Sequence, residues 1–586
     1  MKNINSKIAN LFYEIANFLK MEEISFKPFA YERAALTLES LDEDVGRIYE
    51  QGGKKALEKI PGIGKSIAEK IEEYLKTGEI KYYHKLKKKV PIDIEELTRV
   101  EGMGPKRAKI LYEKLGIKNL KDLEKKAKAG KIAPLFGFGE KTEKNILQGI
   151  SFLKKSSGRF LLGEILPIVS EIEKRLRNLK EINEISVAGS IRRKKETIGD
   201  IDFLVTIKEF KKPIPTRSSA EKIMDFFVSM KDVIKVWGKG PTKSSIRLES
   251  GLDIDLRVVP QKSYGAALQY FTGSKEHNIE TRKIAMDMGL KLSEYGLFKG
   301  RKMIAGRSEK EIYRILKMQW MPPEMRENQG EIELARVYKL PKIVEVSDIK
   351  GDLHCHSKWD GGVNSILELS EEALKMEYKY LGISDHTKFL RIEHGLNEKQ
   401  LSLQKKEIDK LNSEFRIQDS EFRVFQGAET NILKDGSIDI KDEALKKLDY
   451  AIAGIHSSFK MRKKEMTDRI IKAMKNPYIK IISHPTGRIL KKRDEYQVDF
   501  PKILRAAKEF KTVLEINSYP ERLDLNDNKI RQAKEAGVKM VINTDAHHKN
   551  QLHYMELGVF QARRGWAEKK DIINTKSQDK LLKYLK

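Results

Sequence analysis

The 586-residue chain has a single cysteine, Cys355, so it can form no internal disulfide and no metal site built on several thiolates. No apolar run approaches the roughly 20 residues that a membrane-spanning helix needs. The hydrophobic core of a secretion signal is missing too. Ile8, Leu11, Phe12, Ile15, Phe18 and Leu19 recur instead at the spacing of an amphipathic helix. A cytoplasmic protein, with no membrane partner, is the expectation. Acidic charge is the minority sign: 114 Lys and Arg face 86 Asp and Glu, a net +28, of which +19 lies in residues 1–350 and +9 in 351–586. A polyanion is the natural partner, because each phosphate neutralised by Lys or Arg releases counterions. Histidine is nearly absent from the first 350 residues, which hold two of the eleven. At this length several domains are expected.

What is present early is a repeat. Ile60-Pro61-Gly62-Ile63-Gly64-Lys65, Val100-Glu101-Gly102-Met103-Gly104-Pro105-Lys106 and Leu135-Phe136-Gly137-Phe138-Gly139-Glu140-Lys141 share one template, each followed by a helical pattern. Alternate glycines let backbone approach a phosphate, the amides of the next helical turn face the anion, and the lysine adds charge. One GxG is usually a turn; three with a basic residue behind point to DNA binding. The segments resemble the helix-hairpin-helix motif, which grips backbone without reading bases. Residues 1 to about 80 further resemble the N-terminal domain of DNA polymerase beta. By that resemblance Lys70 stands where a lysine forms a Schiff base with an abasic sugar; the plain alternative is an exposed helix lysine.

The middle of the chain carries paired carboxylates on alternating strands. Asp200 and Asp202 share one strand face, with Ile201, Phe203 and Val205 on the other, and Leu252 to Val259 offers a third carboxylate, Asp253 or Asp255. Adjacent carboxylates repel and want cations between them. Gly189-Ser190 followed by Asp200-x-Asp202 resembles the nucleotidyltransferase signature of family X DNA polymerases. That resemblance implies a catalytic triad of Asp200, Asp202 and Asp255 binding Mg²⁺. It assigns the incoming nucleotide to Arg159, Gly189, Ser190, Arg193 and Gly199, and to the thumb residues Tyr270, Phe271, Gly273, Asn278 and Arg282. Lys275 stands where polymerase beta has an aspartate.

Nine histidines follow residue 350, most of them beside carboxylates and just after short β-branched runs: Asp352-Leu353-His354-Cys355-His356, Ser384-Asp385-His386, Gly454-Ile455-His456, Ser483-His484-Pro485 and Thr544-Asp545-Ala546-His547, with Glu429 in Gly427-Ala428-Glu429. Strand ends of an α/β barrel converge on one face, so distant segments can build one pocket. His and carboxylate ligands suit divalent Zn, Mn or Fe. Cys355, between two histidines of one extended segment, points to the other side and reads as packing. The segments resemble the PHP phosphoesterase domain, a distorted β/α barrel. Carried over by motif, its nine ligands to three metals, Mn²⁺ or Zn²⁺, are His354, His356, Asp360, His386, Glu429, His456, His484, Asp545 and His547. The family commonly has one more residue between the histidine pair and the aspartate. His394, His548 and His553 match no motif position.

The expected organisation is a lyase-like hairpin domain over 1–85, a second hairpin domain over 86–150, a nucleotidyltransferase palm over 151–262, a thumb over 263–335, a linker over 336–349 and a PHP barrel over 350–586, in all a multidomain α+β and α/β chain. The resemblances imply a monomeric gap-filling DNA polymerase, using primer-template or gapped DNA and deoxynucleoside triphosphates, with a PHP domain that trims 3′ ends. Three other readings are a phosphoesterase whose polymerase half only positions DNA, a polymerase with a scaffold barrel, and a barrel whose main activity is that of a 3′-phosphatase or abasic-site endonuclease. The intact triad argues against the first, the complete ligand set against the second.

Overall fold

The computed structural model of the chain describes residues 4–24, 26–41, 43–98, 100, 103–155, 158–207, 219–390, 393–417 and 421–585. Gly102 of the second hairpin lies outside them.

The first 155 residues are helical. Helix α1 (Ile4–Met21) buries Ile8, Phe12, Ile15, Phe18 and Leu19 completely or nearly so, as the spacing predicts. Helices α2 (Lys65–Thr77), α3 (Pro105–Leu115) and α4 (Gly139–Lys155) follow the three hairpins.

The palm is a five-stranded sheet of β1 (Ile182–Val187), β2 (Asp200–Ile207), β3 (Val233–Lys239), β4 (Lys243–Leu248) and β5 (Asp253–Val258), in the order β1-β2-β5-β4-β3. Ile201, Phe203 and Val205 of β2 face its core. Leu204 is buried as well, because α5 (Tyr264–Thr272) lies across the second face and packs Tyr264, Ala267 and Leu268 on it. Only the start of β2, where the aspartates sit, is left open. The thumb continues with α6 (Lys275–Asp287) and a small antiparallel sheet.

Palm and thumb are tied by a charged knot. Glu309 accepts from Arg192 at 2.8 Å through both guanidinium nitrogens and from the fully buried Arg326 at 2.6 Å, and Trp320 donates to it at 3.0 Å. Removing one partner of such a buried group costs about 3–5 kcal/mol.

The stretch 336–349 packs rather than hangs free. Ile343 meets Met325 of the thumb end and Trp566, and Val344 donates its amide to Ala567.

Beyond it, β6 (Gly351–Cys355), β7 (Tyr380–Ile383), β8 (Arg423–Gln426), β9 (Glu429–Asn431), β10 (Ala451–Gly454), β11 (Ile479–Ile482), β12 (Val513–Asn517) and β13 (Met540–Asn543) run parallel. They form two sheets that bridges join into a ring. His386 pairs with Glu429 across the break at Gly427-Ala428, and Cys355 pairs with Ala546 to close first strand on last. An apolar cluster including Leu353, Phe425, Ile452, Ile481, Val513 and Val541 draws one residue from most strands and is sealed by Leu581 and Leu585 of the C-terminal helix. Burying each such side chain contributes about 1.5–3 kcal/mol.

Candidate active sites

The palm carboxylates sit on the only parallel pair of its sheet, β2 beside β5. The register sets Asp200 opposite Asp253 and Asp202 opposite Asp255. Alternation alone left Asp253 and Asp255 equal; their partners separate them. Asp253 is engaged by Arg247 at 2.7 and 2.8 Å and by the Trp237 indole at 2.9 Å. Asp255 lies against Ser245 at 2.6 Å, Lys243 at 2.9 Å and Arg257 at 3.2 Å. Burial, and then the charge of Asp200, push the Asp202 carboxyl up to about 6. Arg257 and Lys243 oppose that rise without cancelling it, and a divalent cation fits the clustered carboxylates.

The residues assigned to the nucleotide surround this end of β2. Gly189 and Ser190 open a short helical turn (Gly189–Arg192). Arg159 donates to Thr197 Oγ1 at 3.0 Å and lies along Gly199, whose Cβ, if it had one, would be 3.2 Å from Arg159 Nη1. Arg193 is not free: it donates to Glu327 at 3.1 Å and to the Thr272 carbonyl, and its guanidinium lies against Gly273. Tyr270 and Phe271 meet edge to face at 5.1 Å between ring centres. Asn278 donates to the Tyr270 carbonyl at 2.6 Å, and half-buried Arg282 follows one turn later on α6. Lys275 is exposed at the start of α6.

The hairpins share one turn. The amides of Ile63, Met103 and Phe138 bond to the carbonyls of Ile60, Val100 and Leu135 at 3.0, 2.9 and 3.0 Å. Gly64 and Gly104 cap α2 and α3 with almost the same backbone, φ −82° and −80°. The third departs from them, since Gly139 takes φ +71°. Gly62 and Gly137 need their glycine, with φ of +82° and +85°. Lys65, Lys106 and Lys141 are exposed. Lys70 borders a cavity of about 400 Å³ with Glu69, Glu73, Lys81, Tyr82 and Lys85. Its amine donates to Ser66 Oγ at 3.2 Å and lies 5.5 Å from the Tyr82 ring centre.

The barrel histidines gather where the strands end. His354 is in β6 and His356 just after it; His386, His456, His484 and Asp545 follow β7, β10, β11 and β13, and Glu429 opens β9. Gly454 lets the ring close on Glu429, as a Cβ there would lie 2.8 Å from Glu429 Oε1 and 2.5 Å from Ser483 Oγ. Glu429 is central. Its Oε2 lies 3.2 Å from His354 and 3.0 Å from His386, and its Oε1 lies 3.3 Å from His456 and 3.0 Å from His484. Burial alone would raise its pKa, but the imidazoles around it, His354 first, hold it well below the usual carboxylate range. Burial keeps His456 and His547 neutral, pushed down to about 4.

Among the described residues, buried His354 Nε2, His356 Nε2, His386 Nδ1, His484 Nδ1 and Glu429 Oε2 make no hydrogen bond of good geometry, close as some of them lie to one another. Buried polar atoms are otherwise almost always satisfied. Four sets of donors lie within 4.8 Å of one another: His356, His386 and His547; His354, His356, Glu429 and Asp545; His386, Glu429 and His456; and His356, Asp360 and Asp385. Such donors fit divalent metals. Asp360, despite the shortened spacing, reaches the cluster, where it takes His356 Nδ1 at 2.7 Å and the His386 amide at 2.8 Å. Cys355 is fully buried in the core. His394 lies against Phe29, His548 caps a turn, and His553 pairs with Glu372.

Supporting residues escaped the sequence reading. Glu515 accepts from His354 Nδ1 at 2.7 Å, Asn431 holds His456 Nδ1 at 2.7 Å, and Asp385 takes Ser357 Oγ at 2.6 Å. Such partners fix the tautomer and orientation of a ligand. The signal for Glu515 was its alternation inside Val513-Leu514-Glu515-Ile516-Asn517, an apolar strand interrupted by inward polar residues.

Set beside known proteins, residues 3–80 match the model of a helix-hairpin-helix domain, 94–151 a SAM-like helix-hairpin-helix tandem, 163–235 the DNA polymerase beta palm and 267–327 the DNA polymerase beta thumb. The C-terminal region resembles probable phosphatases. One from Caldicellulosiruptor bescii is 31% identical over 35% of this chain and 83% of its own length, and one from Thermoanaerobacter sp. strain X514 is 31% identical over 33% and 78%. Fold and sites together define an enzyme of the DNA polymerase beta class joined to a metal-binding phosphoesterase barrel. The DNA polymerase/3′-5′ exonuclease PolX of Bacillus subtilis is 35% identical over 99% of both chains. The chain belongs to that PolX family.

Proposed function

We propose that the chain fills short gaps in DNA by templated nucleotide addition at the palm and trims 3′ ends by phosphodiester hydrolysis at the barrel. The observation that carries the reading is the coexistence of two separate cation-demanding sites, the Asp202–Asp255 register and the buried ring around Glu429. In the palm, Asp200, Asp202 and Asp255 hold Mg²⁺, and Arg159, Ser190 and Arg193 take the triphosphate. Tyr270 and Phe271 flank its sugar, and Asn278 and Arg282 reach toward the nascent pair. In the barrel the nine motif residues hold three cations, Mn²⁺ or Zn²⁺, with Glu515 and Asn431 fixing ligand orientation and Asp385 beside His356 and Asp360. Divalent cations supply a hydroxyl of lowered pKa and neutralise charge on the phosphate and leaving group. The hairpins carry duplex backbone to both sites, and Lys70, facing its cavity, is the candidate Schiff-base amine.

The test is a one-nucleotide gapped duplex labelled at the primer 5′ end, with Mg²⁺ or Mn²⁺. Extension by one nucleotide is expected when the complementary triphosphate is present, and stepwise shortening when none is. A chain that adds no nucleotide with either metal overturns the palm reading, and one that shortens no end with Mg²⁺, Mn²⁺ or Zn²⁺ overturns the barrel reading.

A further inference from the structure

The loop that leaves the Gly189-Ser190 turn is held from the barrel side. Arg564, near the end of α7 (Met555–Arg564), is 2% exposed and donates to the Arg193 carbonyl at 2.9 Å and to Glu327 at 3.1 Å, with a further bond to Asp527. Glu327 is the same carboxylate that receives Arg193 at 3.1 Å, and Lys195 stands 3.4 Å from it. Along the loop, Lys194 lies 4.0 Å from the Phe560 ring centre. Glu196 accepts from Arg488 at 2.6 and 3.1 Å and from Gln561 at 3.3 Å. Residues 193, 194 and 196 thus each rest on a side chain contributed more than 290 positions later.

We propose that Arg564 is a positioning residue for nucleotide addition, acting through Arg193; this rests on the reading of the palm as a nucleotidyltransferase. Arg193 cannot bind a triphosphate with its guanidinium spent on Glu327. A buried carboxylate gives up one cation cheaply only if others remain. Glu327 has three, and burial, which alone would raise its pKa, is overridden by Arg564, Arg193 and Lys195. When the triphosphate takes Arg193, Arg564 and Lys195 keep Glu327 neutralised, and the bond from Arg564 to the Arg193 carbonyl keeps the loop in place. Without Arg564, Glu327 holds Arg193 harder and the loop loses its donor. The barrel is then a working part of the polymerase site, whatever its own chemistry.

The experiment uses the full chain on a one-nucleotide gapped duplex with the triphosphate titrated. Arg564→Ala is expected to raise the KM for the triphosphate about tenfold while kcat falls less than threefold, with 3′ shortening near that of the parent and a lowered Tm, because two buried carboxylates lose a partner. Arg563→Ala, which removes the neighbouring contact to Glu324 at 2.9 Å, is expected to leave that KM within twofold. Adding Glu327→Gln to Arg564→Ala is expected to recover at least half of the KM increase on a logarithmic scale, because the competitor for Arg193 has been removed; a merely structural role makes the double variant worse. Should Arg564→Ala fail to fold, Arg564→Lys, which keeps one donor and the charge, is expected to raise KM by a smaller factor. A KM unchanged within twofold in the alanine variant, or parallel loss of extension and shortening in the folded variants, overturns the proposal. A parent chain that adds no nucleotide overturns the palm reading itself, and the two failures are distinguished by that control.

Discussion

In the palm, Asp202 and Asp255 face each other across one strand pair, and Asp255 already has Lys243 and Arg257 within 3.2 Å. In the barrel, nine candidate ligands come from segments after or within six strands, and five buried ligand atoms there make no hydrogen bond among the described residues. Two neighbouring strands can bring carboxylates together but leave their ends open to solvent and to basic side chains. A closed ring of parallel strands forces many ligands into one dry pocket. An unsatisfied buried polar group costs about 1–3 kcal/mol, so the barrel is built around its cations. The palm carboxylates already have basic partners, Lys243 and Arg257, and need a cation less.

The sharpest way to break this contrast is Asp202→Ala. Nucleotide addition is expected to fall by at least about 10³-fold, on the order of 4 kcal/mol of transition-state stabilisation, with 3′ shortening within twofold of the parent. Extension near the parent rate on the gapped duplex would move the palm site elsewhere. The converse is His354→Ala with His356→Ala. Elemental analysis is expected to show loss of bound metal, and 3′ shortening is expected to drop by at least about 10²-fold while extension of a matched primer stays within twofold. Retained degradation by the purified double variant would place the nuclease outside the ring.

The smallest effect sharpens what the two sites share. Gly64 and Gly104 have open space where a Cβ would stand and ordinary negative φ, so valine at both is tolerated by the fold and obstructs only an approaching phosphate. DNA affinity is expected to fall about three- to tenfold, equally on unrelated sequences and equally for extension and shortening. A sequence-selective loss, or loss of one activity alone, would show that the hairpins do not serve both sites.

The barrel ligands were legible because histidine after a short β-branched run is locally rare, and its repetition through His354, His386, His456 and His484 reports convergence that no single segment could. The hairpins were legible for the same reason. The third copy was legible too, but its left-handed Gly139 was not, because that departure from the template leaves no mark in a GxG pattern. Asp253 and Asp255 look alike in alternation and differ in register and partners, since Asp255 stands opposite Asp202 while Asp253 is taken by Arg247 and Trp237 from β4 and β3. Glu515 and Asn431 are hidden because a polar residue in a strand announces burial only once the ring is closed. That Leu204, on the face of the aspartates, is covered was not legible, because α5, which covers it, comes some 60 residues later.

The tie between Arg488 and Glu196 spans 292 positions, and that between Arg564 and Arg193 spans 371. During synthesis the palm therefore emerges long before the groups that hold its triphosphate loop. Its sheet and hairpins can form as the chain grows, but the loop at 193–196 stays unbraced until α7 has left the ribosome and the barrel has closed. A truncated chain ending within the barrel carries the whole palm triad without the arginines that brace the loop beside it. Completion of α7 is thus the step at which the first of the two sites becomes finished.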